Sequence, residues 1–284
     1  MYADTKVEFN PQLRDENERF RLIAQNPVAG ARFFHYMCEM FIKHVLGVGE
    51  KHPGIYGNTN AYYGTVEQQG RLTLHMHMLL WIRGALSPQE IRNKIMDPTS
   101  DFQQKMVEYL ESVHVGEFLT GSMHEVKQII SIQKMEDPHY KDPTQAMPIP
   151  PPDECRENTC DNDTCSDCQA LETWWDRFRA TVDDLIFKSN VHTCRGQKSD
   201  EKAVKKDRPG CINKHGNCKA RFPREVFEQT EVDPKTGALN VKKGEAWINT
   251  LTPLVTYICN AILILQACYL VQLSKLLWLI YLTI

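Results

Sequence analysis

Residues 64–82, GTVEQQGRLTLHMHMLLWI, carry the pattern from which the fold can be predicted. The β-branched and aromatic Tyr62–Glu67 predicts one strand, Gln68–Gly70 predicts a turn, and Leu72–Trp81 predicts a second strand. Side chains alternate between the two faces of a strand. One face of the second strand is purely apolar and is expected to cover a core: Leu72, Leu74, Met76, Met78 and Leu80. The opposite face is mixed: Thr73, His75, His77, Leu79 and Trp81.

The mixed face presents two histidines. His75 and His77 are two residues apart, which places them about 7 Å apart along one side of the strand. Two imidazoles at that spacing suit two ligands of one divalent cation. Because His-x-His is a short pattern, two half-exposed histidines on a sheet face remain an equally open interpretation.

These residues resemble a known family. His75-Met76-His77, with its apolar middle residue, resembles the motif of the HUH single-strand endonucleases. The wider string 61–77, AYYGTVEQQGRLTLHMH, looks like the Rep domain of Helitron transposases, the helicase-like N-terminal domain that precedes a DNA helicase in the full element. Similar strings recur from about Asp15 to Asn260: NPVAGARFFH (26–35), VDDL (182–185), SNVH (189–192), CKARFPR (218–224) and WINTLTP (247–253).

The resemblance implies an α+β fold, with a central antiparallel sheet flanked by helices. It also implies a nuclear enzyme that nicks and joins single-stranded DNA through a tyrosine, leaving a 5′-phosphotyrosine. Mg or Mn at His75 and His77 would polarise the scissile phosphate. Glu67 matches the family's acidic position as the third metal ligand, with Gln69 as the competing choice. The partner implied for the complete family protein is a C-terminal helicase domain; this sequence has no phosphate-binding Gly-x4-Gly-Lys-Ser/Thr loop.

The expected nucleophiles are missing. Helitron Rep domains carry a Tyr-x3-Tyr pair shortly after a Cys-Asn-Thr-Asp string, whereas this chain departs after Cys259-Asn260. Tyr269 and Tyr281 have no partner at that spacing. Codons can be chosen that encode residues 261–284 and that also encode a second peptide when they are read from the third base of the first codon. One such choice gives NTDITSMLSGTAIKAVVAYISDY, which resembles the absent segment. We therefore interpret residues 261–284 as a frameshift product, a hypothesis that the nucleotide sequence of the gene tests.

Taken at face value, residues 261–284 have another interpretation. They are hydrophobic and of transmembrane length, with Lys275 as the only charge, so a membrane tail anchor is the alternative. The polar, charged Met1–Asn10 does not resemble a secretory signal peptide. Ten cysteines without such a signal indicate metal ligands or free thiols rather than disulfides.

Two groups of residues predict zinc sites. The first, in a short acidic loop, is Cys155-x4-Cys160-x4-Cys165-x2-Cys168. Only its last spacing is a usual zinc knuckle, so an acidic loop with reduced thiols is the alternative. The second has three cysteines and one histidine: His192, Cys194, Cys211 and Cys218. Here His215 competes as a ligand, and free thiols are the alternative.

A nucleic-acid surface must be local, because the net charge of the chain is -3. Basic residues concentrate between Arg195 and Arg224, around the second set of zinc ligands. Such a patch can hold phosphates, although charge runs are more often solvated surface. The residues assigned to DNA binding are Arg71, Lys219, Arg221 and Arg224.

The predicted organisation has four parts. They are N-terminal helices with the Rep-like core (1–150), a Cys/His-rich basic segment (151–225), a continuation of the Rep-like domain (226–260) and the aberrant tail (261–284). Helices are predicted near 15–24, 27–46, 87–97, 100–118 and 170–189. An extended linker is predicted at 137–152, and a turn between two strands at 232–239.

Overall fold

A computed structural model of the protein describes residues 16–69, 73–97, 99–138, 140–153, 155, 160, 165–194, 210–233, 235, 239–259, 263–266 and 277–283. These residues form helices and antiparallel sheets, which confirms a mixed α and β chain. They group into two compact units. The first draws on Met1–Lys105, Lys141–Pro148 and Leu254–Ile284, and the second on Met106–Tyr140 and Ile149–Pro253.

The helices of the first unit begin where local signals place them. They are α1 (Glu16–Gln25), α2 (Pro27–Met40, continued by a π-helical turn, Phe41–Val45) and α3 (Pro88–Ile95). Asn26 caps α2, because its side chain accepts a hydrogen bond from the Ala29 N–H at 3.0 Å. Ser87 and Glu90 form a reciprocal capping box at the start of α3. Pro27 and Pro88 fit the first helical turns, where no N–H partner is needed.

A four-stranded sheet carries the histidines. Its strands are β1 (Thr59–Gln69), β2 (Thr73–Ile82), β5 (Leu263–Gln266) and β6 (Leu277–Thr283), in the order β1-β2-β6-β5 with antiparallel neighbours. Burial of Met76, Met78 and Leu80 confirms that this face of β2 covers a core. The predicted turn begins too early, since Gln68 and Gln69 still pair with Leu74 and Thr73. Residues 70–72 lie outside the described part of the chain.

The described parts of the C-terminal segment are strands. β5 and β6 pair with each other, and β6 also pairs with β2. A tail anchor would require a long apolar helix. Among the described residues, we find no helix with the length and apolar character needed to cross a membrane.

The second unit is built around one long helix. Its elements are α5 (Met123–Glu136), α6 (Ser166–Ser189), β3 (Glu231–Val232) and β4 (Leu239–Asn240). α4 (Phe102–Val113) begins in the first unit and ends in the second. α7 (Pro253–Cys259) begins in the second unit and ends in the first. The apolar side of α6 is buried at Trp174, Phe178, Val182, Leu185 and Ile186, whereas Trp175 is exposed. β3 and β4 flank the predicted turn, and a short 3-10 helix, Pro143–Gln145, interrupts the predicted linker.

Candidate functional sites

The register of β1 and β2 brings a carboxylate to the two histidines. Glu67 lies directly opposite His75, and Thr65 lies opposite His77. Residues directly opposite each other in an antiparallel pair project from the same face. Glu67 therefore shares the face of both histidines, and its Oε1 lies 2.6 Å from His77 Nε2. We call Glu67, His75 and His77 the histidine face.

The two imidazoles have different environments. His75 is only 8% exposed, because β2 is an interior strand, and its buried Nδ1 has no hydrogen-bond partner among the described residues. His77 is more accessible and is already bonded to Glu67. A buried ring nitrogen without a partner is costly unless something else satisfies it, and a cation is one such group.

The histidine face fits a divalent cation only after side-chain movement. Among the described residues, two other groups have ligand atoms that all lie within 4.8 Å of one another, and the histidine face is not one of these groups. Such a movement would break the contact between Glu67 Oε1 and His77 Nε2. Of the remaining predicted residues, Gln69 ends β1 opposite Thr73, and Arg71 lies outside the described residues.

Four cysteines at and just before the start of α6 are close enough together to hold a metal ion: Cys155, Cys160, Cys165 and Cys168. We call them the four-cysteine group. The Sγ atoms of Cys155 and Cys160 are 3.5 Å apart, those of Cys160 and Cys168 are 3.4 Å apart, and those of Cys165 and Cys155 are 3.7 Å apart. A disulfide would require about 2.0 Å. Four sulfurs at about 2.3 Å from one tetrahedral zinc ion would lie about 3.8 Å from each other, close to the observed spacing.

The N-terminus of α6 favours the thiolate form of one member of this group, Cys165. Cys165 is the N-cap residue of α6, and Cys168 lies in the first turn. Backbone N–H groups of Cys168 and Asp167 donate to the Cys165 sulfur and lower its pKa. Hydrogen bonds with Cys160 and Cys165 instead hold the proton on Cys168 and raise its pKa to about 12. Four thiolates at this distance repel one another, so full ionisation requires a cation.

The set of three cysteines and one histidine, which we call the mixed group, also converges. Ligand atoms of His192, Cys194, Cys211 and Cys218 all lie within 4.8 Å of one another, so this group can hold a metal ion as well. Cys218 Sγ lies 3.3 Å from His192 Nε2. The competing ligand His215 is exposed and is not a member of the group.

Neighbouring groups orient the mixed group. The His192 N–H donates to the Trp247 carbonyl at 2.8 Å, and the imidazole stacks on Phe222 with 4.3 Å between ring centroids. Backbone N–H groups of Phe222 and Ala220 donate to Cys218 and lower its pKa. Burial, together with the neighbouring thiols, raises the pKa of Cys194 to about 11. A metal ligand held on both sides in this way is pre-positioned for binding.

The predicted basic patch divides into two kinds of residue. Lys219 and Arg221 are exposed. Arg224 is half-buried: its guanidinium donates to Asn249 Oδ1 at 3.2 Å and lies 4.7 Å from the Phe222 ring centroid. Arg224 therefore supports the ring on which His192 stacks. Residues 195–209 of the predicted patch lie outside the described part of the chain.

Sequence reasoning missed the buried lysine next to Arg224. Lys243 donates from Nζ to the Ile248 carbonyl at 2.6 Å. Burial, reinforced by the Arg224 charge, lowers the pKa of Lys243 to about 8. Lys243 directly follows Lys242 in a short polar stretch, and nothing in that pattern distinguishes it from a surface side chain.

The fold and sites define a mixed α and β protein with a histidine-bearing antiparallel sheet and two Cys/His groups that can bind metal. Residues 3–80 match the family model described as the Helitron helicase-like domain at N-terminus. The matched part of the chain is therefore similar to Helitron helicase-like N-terminal domains, and it includes β1 and both histidines. Neither the curated proteins nor the solved structures contain a match to the chain.

Proposed function

We propose that the chain is a Helitron-type Rep domain that binds single-stranded DNA and a divalent cation, Mg or Mn, at the histidine face. The observation that supports this function is the strand register, which adds Glu67 to the face of His75 and His77. Imidazole and carboxylate together suit Mn, and a carboxylate with DNA phosphate oxygens suits Mg. Nicking and joining belong to the family chemistry, and we infer that the chain as written lacks the tyrosine pair for it.

The metal half of the proposal predicts that His77→Ala strongly weakens Mn binding. Loss of an outer-shell partner alone reduces metal affinity by about 10- to 100-fold, so loss of a direct ligand is expected to cost at least about 100-fold. Manganese binding is measured by electron paramagnetic resonance titration. The control is His35→Ala, because His35 also pairs with a glutamate, Glu39 at 3.4 Å, but on the surface of α2. Equal Mn affinity in the His77→Ala and wild-type proteins would contradict the assignment.

The catalytic half predicts a gain of function. We expect the chain as written to leave a single-stranded oligonucleotide intact in the presence of Mn. A variant in which residues 261–284 are replaced by the frame-restored sequence ending in AYISDY is expected to cleave it. A covalent protein–DNA adduct on a denaturing gel is the diagnostic product. Inactivity of both proteins would remove nicking from the proposal, and cleavage by the chain as written would show that it has another nucleophile.

We also assign structural zinc to the two Cys/His groups, since thiolate and imidazole ligands at tetrahedral spacing are typical of zinc. These groups support a second candidate function, a zinc-dependent nucleic-acid-binding protein without catalysis. Exposed Lys219 and Arg221 closely follow the zinc ligand Cys218 and favour this alternative. This second candidate function requires that loss of Cys194 or Cys211 abolishes DNA binding, while His75→Ala leaves DNA binding unchanged.

A further inference from the structure

The histidine face continues into an exposed aromatic surface. Tyr63 is 59% exposed and lies opposite Leu79, one position beyond the Thr65–His77 pair on this face. Because alternate residues share a face, Tyr63 projects on the same side of the sheet as Glu67 and the histidines. The next pair on this side is Ala61 with the half-buried Trp81.

The face therefore has two chemically different ends. Glu67, His75 and His77 form a polar end, and Tyr63 and Trp81 form an aromatic end. Tyr63 and His77 are diagonal neighbours, which in an antiparallel pair are about 7–8 Å apart. A nucleotide lying along β1 and β2 could thus place its base on the tyrosine ring and an adjacent phosphate near the histidines.

We propose that Tyr63 is a stacking platform for an unpaired base and positions single-stranded DNA against the histidine face. This inference rests on the proposed function, because it requires a single-stranded DNA substrate at that face. An exposed aromatic ring stacks on any base, but the face of the base must be free of neighbouring bases. The proposed ligand is therefore single-stranded rather than duplex DNA.

The sequence supplies a matched control in the adjacent residue. Tyr62 is the same residue type, is 43% exposed, and lies opposite Leu80 on the other side of the same strand. Leucine at either position removes the same ring from the same edge strand. A difference between the two variants therefore reports the face of the sheet rather than strand propensity or overall stability.

The experiment measures fluorescence anisotropy of a labelled single-stranded oligonucleotide with Mg. Tyr63→Leu is expected to weaken binding by roughly 5- to 150-fold, the range for loss of one base–aromatic stack, while Tyr62→Leu stays within about twofold of wild type. Tyr63→Phe is expected to bind like wild type, because the ring rather than the hydroxyl makes the contact. Manganese binding by Tyr63→Leu is expected to be unchanged.

Each other outcome has a distinct meaning. If the wild-type chain does not bind single-stranded DNA, the proposed function and this inference both fail. If it binds and Tyr63→Leu binds equally well, only the stacking role is overturned. Equal losses in Tyr62→Leu and Tyr63→Leu would indicate a general effect on β1 and would also overturn it. A change in oligomeric mass without a change in DNA affinity would assign Tyr63 to a protein contact instead.

Discussion

Cys165→Ser is expected to reduce the zinc content of the purified chain from about two ions to about one, and to destabilise the second unit strongly. Cys165 links the four-cysteine group to the start of α6, whose apolar side is buried over much of its length. A structural zinc ion contributes about 10–16 kcal/mol of apparent binding free energy, all of it available to folding. Loss of even a third of this would lower the midpoint of thermal unfolding by about 10 °C or more.

The measurement combines zinc content by atomic absorption with thermal unfolding followed by circular dichroism. Cys218→Ser tests the mixed group in the same way and is expected to remove the other ion. Cys259→Ala is the control, because Cys259 lies in α7 outside both groups and burial raises its pKa to about 11. The Cys259→Ala protein is therefore expected to keep both ions.

A readout independent of stability comes from cobalt substitution in the wild-type chain. Co(II) bound by thiolates gives sulfur-to-metal charge-transfer absorption, whose intensity increases with the number of thiolate ligands. We expect absorption from both the four-cysteine group and the mixed group. Unchanged zinc content in Cys165→Ser, or no thiolate absorption in the wild type, would refute the two-site assignment.

The paired strands and the apolar face of β2 could be predicted because both depend on local alternation. Met76, Met78 and Leu80 are buried as that alternation requires. The burial of His75 could not be predicted in the same way, since it depends on β2 having a neighbouring strand on each side. Local periodicity identifies the two faces of a strand but not its place in the sheet.

Some elements were missed for different physical reasons. α5 begins at a capping box formed by Ser122 and Glu125, the same signal that begins α3, so the sequence contained the information. α7 has only seven residues, too few for helical periodicity to identify it, although it begins at a proline as α2 and α3 do. Arg224 was grouped with surface cations, but its contact with Asn249 is long-range and has no local pattern.

The convergence of both Cys/His groups could be predicted from residue type and spacing. The four-cysteine group is local, since its members fall within one short segment, 155–168. The mixed group requires the chain to return between Cys194 and Cys211, which spacing suggests but does not determine. Ligand chemistry compensates here, because three thiolates and an imidazole have few favourable alternatives to a shared soft cation.

Asp183→Ala is expected to lower the free energy of unfolding by about 4 kcal/mol. Asp183 is 2% exposed, and its carboxylate accepts hydrogen bonds from the N–H groups of Leu119 at 2.7 Å and Thr120 at 2.8 Å. The Thr120 hydroxyl also donates to it at 2.6 Å. Removal of the carboxylate leaves two part-buried backbone donors without their acceptor.

The asparagine variant separates charge from hydrogen-bond geometry. All three groups around the carboxylate are donors, so the amide NH2 of Asp183→Asn would face a donor rather than an acceptor. Asp183→Asn is therefore expected to cost about 2 kcal/mol, less than Asp183→Ala, because one carbonyl oxygen remains. Asp176→Ala on the same helix is the control: its partner is the exposed Arg179, and its cost is expected to be below about 1 kcal/mol. Urea unfolding of the zinc-loaded proteins measures all three, and equal stability of the Asp183→Ala and Asp176→Ala proteins would show that the 119–120 backbone finds other acceptors.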